Sequence, residues 1–266
     1  MSPELISSPS NPLLKRIRKL RQRKHRVEQR ALFVEGIAPV WQAVESGVDV
    51  EMVVTAPDLL TSERARELVA SLPGRGAVVT SVTPEAFESI AERDHPSGLG
   101  AIVGTPVWTL DDVEVSAAAL VVALDEVGNP GNLGTVVRTA DAAGASAVVV
   151  TGAAADPWHP GAVKASMGTV FSTRVVVSDL ESLLGWARAQ GLGVVATSAR
   201  GKADHWAARY PERCLLLFGS EATGLSEEAL EAADEVVRIP QKGAASSLNL
   251  AVAAGIVIYE AARDRA

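Results

Sequence analysis

The sequence predicts an α/β protein, with a small N-terminal α/β domain followed by a larger C-terminal domain built on a parallel sheet. Three observations carry that expectation. Short apolar runs alternate with stretches of helical period along nearly the whole chain. Several runs, such as Leu120-Val121-Val122 and Cys214-Leu215-Leu216-Leu217-Phe218, are apolar throughout, as parallel strands covered on both faces are. The alternation pauses once, at Gly104-Thr105-Pro106 and Asp111-Asp112-Val113-Glu114, which marks residues 109–118 as a linker between domains at 1–108 and 119–266.

The elements follow in order. Ser10 is placed to cap a first helix with Asn11-Pro12 in its opening turn; Leu13, Leu14, Ile17 and Leu20 form its apolar stripe, and Lys15, Arg16, Arg18 and Lys19 then face outward. Strands are expected at 32–34, 52–54, 77–79 and 99–103, with helices at about 37–46, 62–70 and 85–91. In the second domain strands are expected at 119–124, 147–151, 174–177, 193–197, 214–218 and 235–239. Helices fall near 134–143, 160–167, 179–190, 226–232 and 247–263.

Bulk properties narrow the function. A chain of 266 residues, 47% hydrophobic and 21% charged, has the composition of an ordinary globular protein. Its longest apolar runs are too short to span a bilayer, and no apolar run follows the basic N-terminal stretch as a secretory signal would require. Cys214 is the only cysteine, and His25, His95, His159 and His205 have no metal-ligand spacing. A cytoplasmic, metal-independent protein is the reading. The net charge of −7 conceals an asymmetry: Lys15 to Arg30 holds nine Lys/Arg and one acid, leaving −15 for the remainder. Such a run is either a solvated helix face or a local polyanion contact.

Three glycine- and amide-rich segments hold the candidate chemistry: Asn129 to Arg138, Phe218 to Gly224, and Ile239 to Asn249. Each follows an expected strand, so polar groups gather at one sheet edge, where open α/β folds bind ligands. Gly128, Gly131 and Gly134 have the wrong spacing for a dinucleotide fingerprint, and no phosphate-cradling G-x-x-x-x-G-K-[ST] occurs. Arg138 among Val136, Val137 and Ala140 reads on its own as a structural salt-bridge residue. Ser246 or Ser247 reads as the cap of the last helix, whereas Asn249 inside that helix has no structural reason.

Taken together, the segments resemble the three signature motifs of the SpoU (TrmH) family of RNA ribose 2′-O-methyltransferases, in the SPOUT class. Asn132, Gly134, Arg138 and Ala140 match the first motif; Gly219, Glu221 and Gly224 the second; Ile239, Pro240, Gly243, Ser247, Leu248 and Asn249 the third. Asn129 and Gln241 stand where the family often has Asp and Met. Residues 5–105 are more loosely similar to the family's substrate-binding domain, of the ribosomal-protein L30e type.

The resemblance implies a deep trefoil knot in the C-terminal domain and S-adenosylmethionine held in its loops. Gly219, Ile239 and Leu248 are then the main cofactor contacts, with Thr197 and Gln241 beside them. Arg138, Asn132, Glu221, Ser247 and Asn249 become the catalytic set. Lys15, Arg16, Arg18, Lys19, Arg21 and Arg23 are the expected RNA phosphate contacts, and ribosomal RNA (23S) is favoured over transfer RNA. A homodimer through the C-terminal domain is implied, with the last helix (Leu250, Val252, Ile256, Val257, Tyr259) suited equally to an interface or a core. A non-catalytic RNA-binding or ribosome-assembly protein on the same fold is the alternative.

Overall fold

The computed structural model describes residues 5–263 except 93, 153–155 and 245–246, together with residue 265; of Arg75 it describes the backbone only. The chain divides into two compact units, one comprising residues up to Pro106 plus Trp158–Ser172, the other Val107–Pro157 plus Thr173 onward. Residues 158–172, expected inside the second domain, thus belong to the first. Gly168 shows why: a Cβ there would lie 2.8 Å from Gln42 Cβ and Pro39 Cα, so the segment is seated on that unit's backbone.

In the first unit, α1 (Pro12–Leu20) and α2 (Arg23–Gln29) precede β1 (Ala31–Glu35), α3 (Ile37–Glu45), β2 (Val50–Thr55) and α4 (Glu63–Ser71). Then come β3 (Val78–Ser81), α5 (Pro84–Glu88) and β4 (Leu99–Gly104). The strands form a mixed sheet in the order β1-β4-β2-β3. Leu14, Ile17 and Leu20 of α1 are buried with Val54, Phe87, Ile90 and Ile102. Each such side chain contributes roughly 2 kcal/mol by leaving water.

The start of this unit departs from expectation at its cap. Asn11, not Ser10, caps α1, its side chain accepting from Leu13 N at 2.8 Å. The helix ends at Leu20, the last residue of its apolar stripe, and there buried Arg26 of α2 donates to the Leu20 and Arg21 carbonyls at 2.9 and 2.6 Å. One of the nine cations of the basic run is therefore a helix cap.

The second unit holds β5 (Leu120–Asp125), α6 (Pro130–Ala142), β6 (Ala147–Thr151), β7 (Val175–Ser178), α8 (Leu180–Ala189) and β8 (Gly193–Thr197). It continues through β9 (Ala203–Asp204), β10 (Cys214–Phe218), α9 (Glu227–Glu231), β11 (Glu235–Arg238) and α10 (Leu250–Ala262). Helix α7 (Pro160–Ala165) lies in the segment assigned to the first unit. The seven strands are all parallel, in the order β7-β6-β5-β10-β8-β11-β9. This agrees with the wholly apolar runs: every residue of β5, β6 and β10 is buried. The expected linker is not free. Val113 is buried in this unit's core with Val121, Leu183 and Leu215, and Thr109 and Asp112 cap a short 3-10 turn beside it. Among the described residues no helix is long and apolar enough to cross a membrane.

The strand order decides where the chemistry goes. The chain leaves β5 toward β6 and β7 on one side, then returns so that β10 pairs with the other side of β5, Leu124 lying against Phe218. Neighbouring strands whose chains depart in opposite directions open a crevice at their carboxyl ends. The first two glycine-rich segments leave from those two ends.

Candidate active site

Helix α6 begins the site. Asn129 is its N-cap, accepting from Gly131 N at 2.8 Å and Asn132 N at 3.2 Å, with Pro130 at the first helical position. An Asn-Pro pair ahead of an apolar-periodic run is itself a capping signal. Leu133, Val136, Val137 and Ala140 form the buried face. Arg138 therefore points away from the core: it is exposed and makes no hydrogen bond or ion pair with a described residue. Among the described residues, the structural salt bridge that its apolar neighbours suggested is absent.

The three segments meet through side chains. Asn132 Nδ2 donates to Glu221 Oε1 at 2.6 Å, and Asn249 Nδ2 donates to Asn132 Oδ1 at 3.0 Å. Asn132 is the node, giving its one donor group to the second segment and its acceptor to the third.

Asn249 corrects the expected helix start. Helix α10 begins at Leu250, not 247, and Asn249 is its N-cap, Oδ1 accepting from Ala251 N at 2.9 Å. One amide thus caps the helix with its oxygen and ties the site with its nitrogen. Ser247 is exposed just ahead of it, and Ser246, the other cap candidate, lies outside the described residues.

Beside this network lies a cleft of about 600 Å³, its apolar lining formed by Val237, Ile239, Leu248, Leu250, Ala253 and Val257. Its rim carries Ser220, Glu221, Thr223, Gln241 and Ser247. The volume falls in the range of about 300–1,000 Å³ usual for small-ligand sites. Gly219 and Thr197 also line it; the Thr197 hydroxyl donates to the Leu217 carbonyl at 3.2 Å, which leaves it only as an acceptor toward a ligand. A Cβ on Gly219 would fall 2.3 Å from Gly224 C and Leu225 N, so the wall of the cleft is backbone packed on backbone. Asn132 and Arg138 do not line the cleft; they belong to α6 alongside it. The Ser198-Ala199-Arg200 stretch, passed over in the sequence for want of a glycine signature, lines the cleft too.

An apolar lining with a hydroxyl-, amide- and carboxylate-bearing rim suits a ligand with a flat heteroaromatic end and a polar, partly cationic remainder, as S-adenosylmethionine has. Cysteine chemistry is not on offer: burial pushes the Cys214 thiol up to about 12, and it lies within β10. Among the described residues no group of three or more His, Cys, Asp or Glu is placed to hold a metal ion.

Known proteins share this architecture. Residues 119–259 match the SpoU rRNA Methylase family, and residues 11–101 match the MRM3-like substrate binding domain. A 23S rRNA (uridine(2479)-2′-O)-methyltransferase of Streptomyces viridochromogenes is 34% identical over 253 residues, covering 92% of this chain and 87% of its own. A 23S rRNA (guanosine(2553)-2′-O)-methyltransferase of Bacillus subtilis is 30% identical over 255 residues, covering 96% and 97%. The crystal structure of an AdoMet-bound rRNA methyltransferase from Sinorhizobium meliloti superposes with a TM-score of 0.89 at 37% identity, over 98% of this chain and 97% of that one. With its parallel sheet, its tied trio of motifs and matches spanning nearly its whole length, the chain belongs to the SpoU rRNA methylase family.

Proposed function

We propose that this protein methylates a ribose 2′-hydroxyl of ribosomal RNA, in the 23S molecule, using S-adenosylmethionine. The observation that carries the reading is the Glu221–Asn132–Asn249 hydrogen-bonded chain beside the cleft, its middle member on the helix that presents Arg138, which has no partner among the described residues. The two relatives described above are named for different nucleosides, a uridine and a guanosine. What their reactions share is the ribose hydroxyl, which accords with a site rich in groups for sugar and phosphate.

The bound cofactor supplies an electrophilic methyl group on a sulfonium. Gly219, Ile239 and Leu248 hold its adenosine end through backbone groups and apolar contact, with Gln241 and Thr197 at the margin. The substrate hydroxyl is barely ionised at neutral pH, so the protein must stabilise the developing alkoxide. Arg138 does so as a cation: a guanidinium keeps its proton until pH exceeds about 12. It orients the adjacent phosphate and lowers the hydroxyl pKa, and a phosphate oxygen or water accepts the proton. Asn132, Glu221, Ser247 and Asn249 fix the loops around the ribose.

Asn249 separates these roles experimentally. Asn249→Asp keeps the capping oxygen but replaces the donor to Asn132 with a second acceptor. The thermal midpoint of the variant should match wild type while turnover falls at least tenfold, since a misplaced buttress of this kind costs about 10- to 100-fold. Asn249→Ala also loses the cap, which costs about 1 kcal/mol. Calorimetric melting beside single-turnover methylation checks both.

RNA affinity rests on the first unit, through a narrower basic face than the run suggests. Arg16 is half-buried and paired with Glu51 and Gln29, Arg18 with Ser89 and the Pro9 carbonyl, and Arg21 with the Ile90 and Ala91 carbonyls. Arg16 and Arg18 are half-buried, and Arg21, though exposed, already donates to backbone carbonyls. Lys15, Lys19, Arg23 and Lys24 are exposed, and they carry the phosphate contacts.

The chain works as a homodimer in the cytoplasm. Helix α10 divides its apolar residues: Leu250 and Val257 are buried, while Val252, Ile256 and Tyr259 are 53%, 36% and 55% exposed along one face. A row of this kind on a regular helix is an interface awaiting a partner. We also propose that the C-terminal unit follows a knotted path.

The test is direct. Ribosomal RNA from cells lacking the protein is incubated with enzyme and S-adenosylmethionine, then cleaved with alkali. One backbone position is expected to become resistant, because a 2′-O-methyl group removes the attacking hydroxyl. Absence of any protected position, with no cofactor binding by calorimetry, would favour the non-catalytic RNA-binding protein.

A further inference from the structure

Between β8 and β10 the chain makes an excursion, Ser198 to Arg213, that the proposed reaction does not use. It is firmly built. Ser198 N donates to the Val237 carbonyl and His205 N to the Arg238 carbonyl, both at 2.9 Å. Gly201 is buried so closely on β11 that a Cβ would come 2.5 Å from Val237 C. Arg238 Nε pairs with Asp204 at 2.8 Å, and the Tyr210 hydroxyl donates to the His205 carbonyl at 2.9 Å. The excursion is therefore a fixed platform.

On this fixed support stands Trp206, 52% exposed, with the edge of His205 against it at 4.7 Å between ring centroids. A rigid loop that leaves half an indole in water forgoes burial worth about 1 kcal/mol or more. The residues around it in sequence are cationic. Residues 198–213 hold Arg200, Lys202, Arg209 and Arg213 against Asp204 and Glu212, a local +2 in a chain of net −7. Asp204 is already neutralised by Arg238, whereas Lys202 and Arg209 are exposed and have no partner among the described residues. The excursion also runs into the cleft, since Ser198, Ala199 and Arg200 line it.

We propose that this excursion is a nucleobase platform: Trp206 stacks on an unpaired base of the RNA close to the modified ribose, and Lys202 and Arg209 engage the flanking phosphates. An aromatic face beside free cations is how proteins grip single-stranded nucleic acid without reading its sequence. Its position fits the reaction. Trp206 follows β9 at the carboxyl edge of the sheet, the edge from which Ile239 leaves β11 to line the cleft, and a stacking surface at that edge would hold an unpaired strand while its ribose enters. The inference rests on the RNA methyltransferase reading and adds a second RNA contact, on the unit that carries the cofactor cleft.

The experiment uses the full chain and a single-stranded oligoadenylate of about 12 nucleotides, a length suited to one such groove. Binding to wild type should quench part of the tryptophan emission. Trp206→Ala should weaken binding about tenfold and remove that quench, Trp206→Phe should restore most of the affinity, and neither should change the salt dependence. Lys202→Ala/Arg209→Ala should flatten the salt dependence instead. S-adenosylmethionine affinity, measured by calorimetry, should be the same in all of them. Unchanged oligoadenylate affinity in Trp206→Ala overturns the platform, as does a change from dimer to monomer, which would make Trp206 a subunit contact. Both outcomes are read against wild-type methylation of ribosomal RNA, so loss of the platform idea is distinguishable from loss of the enzymatic reading.

Discussion

Arg138→Ala is expected to reduce methyl transfer about 100- to 1,000-fold while leaving the protein as stable as before. The stability half follows from where the residue stands. Arg138 is exposed on α6, opposite Leu133, Val136, Val137 and Ala140, and has no partner among the described residues to lose. Alanine is also a slightly better helix former than arginine. The activity half follows from the charge that must be stabilised at the alkoxide; removing one preorganised donor from such a site typically costs two to three powers of ten, roughly 3–4 kcal/mol. Arg138→Lys discriminates further. Lysine keeps the charge but loses the planar fork that engages a phosphate bidentately. Its turnover should lie between alanine and wild type, and near-wild-type turnover would remove the fork from the mechanism. Single-turnover methylation and melting curves on the three proteins provide the comparison.

The second large effect is structural. Gly219→Ala should lower stability by about 2–4 kcal/mol and abolish cofactor binding together. A methyl group there would sit 2.3 Å from Gly224 C and Leu225 N and 2.5 Å from the Gly224 carbonyl oxygen, all backbone atoms that cannot turn aside. Accommodating it means separating the end of β10 from the turn that follows. That overpacking costs a few kcal/mol and distorts the cleft wall. Gly243→Ala is the control, because a Cβ at Gly243 meets nothing within 4 Å. Thermal denaturation with and without S-adenosylmethionine reads both consequences, and a Gly219→Ala protein that still gains stability from the cofactor would contradict the prediction.

Much of this was legible in the residues, for physical reasons. Parallel strands buried on both faces must be apolar throughout, so β5 and β10 announce themselves. Amphipathic α6 does the same through its spacing of Leu133, Val136, Val137 and Ala140. What resisted reading depends on contacts between distant residues. Nothing in the pattern around Trp158–Ser172 says which unit it will join, because its apolar residues suit either core. The basic run looked uniform because charge is visible in a sequence and pairing is not: Arg16 finds Glu51 and Arg26 caps α1 only once the chain is folded. Asn249 was misplaced for a related reason. An asparagine three residues into an expected helix looked functional, and in the structure it serves as the cap as well as the tie to Asn132.

That tie has a consequence for how the enzyme comes into being. Asn132 reaches a partner 89 residues later in Glu221 and another 117 residues later in Asn249. Contacts between such distant parts of a chain form late, because the loop-closure entropy must be met before the contact rewards it. A growing chain that has not yet delivered α10 has its central strands but no donor for Asn132 and no far wall to the cleft. The order of synthesis thus leaves the cleft for last: an incomplete chain can collapse, and methylation is expected only once its final helix has docked.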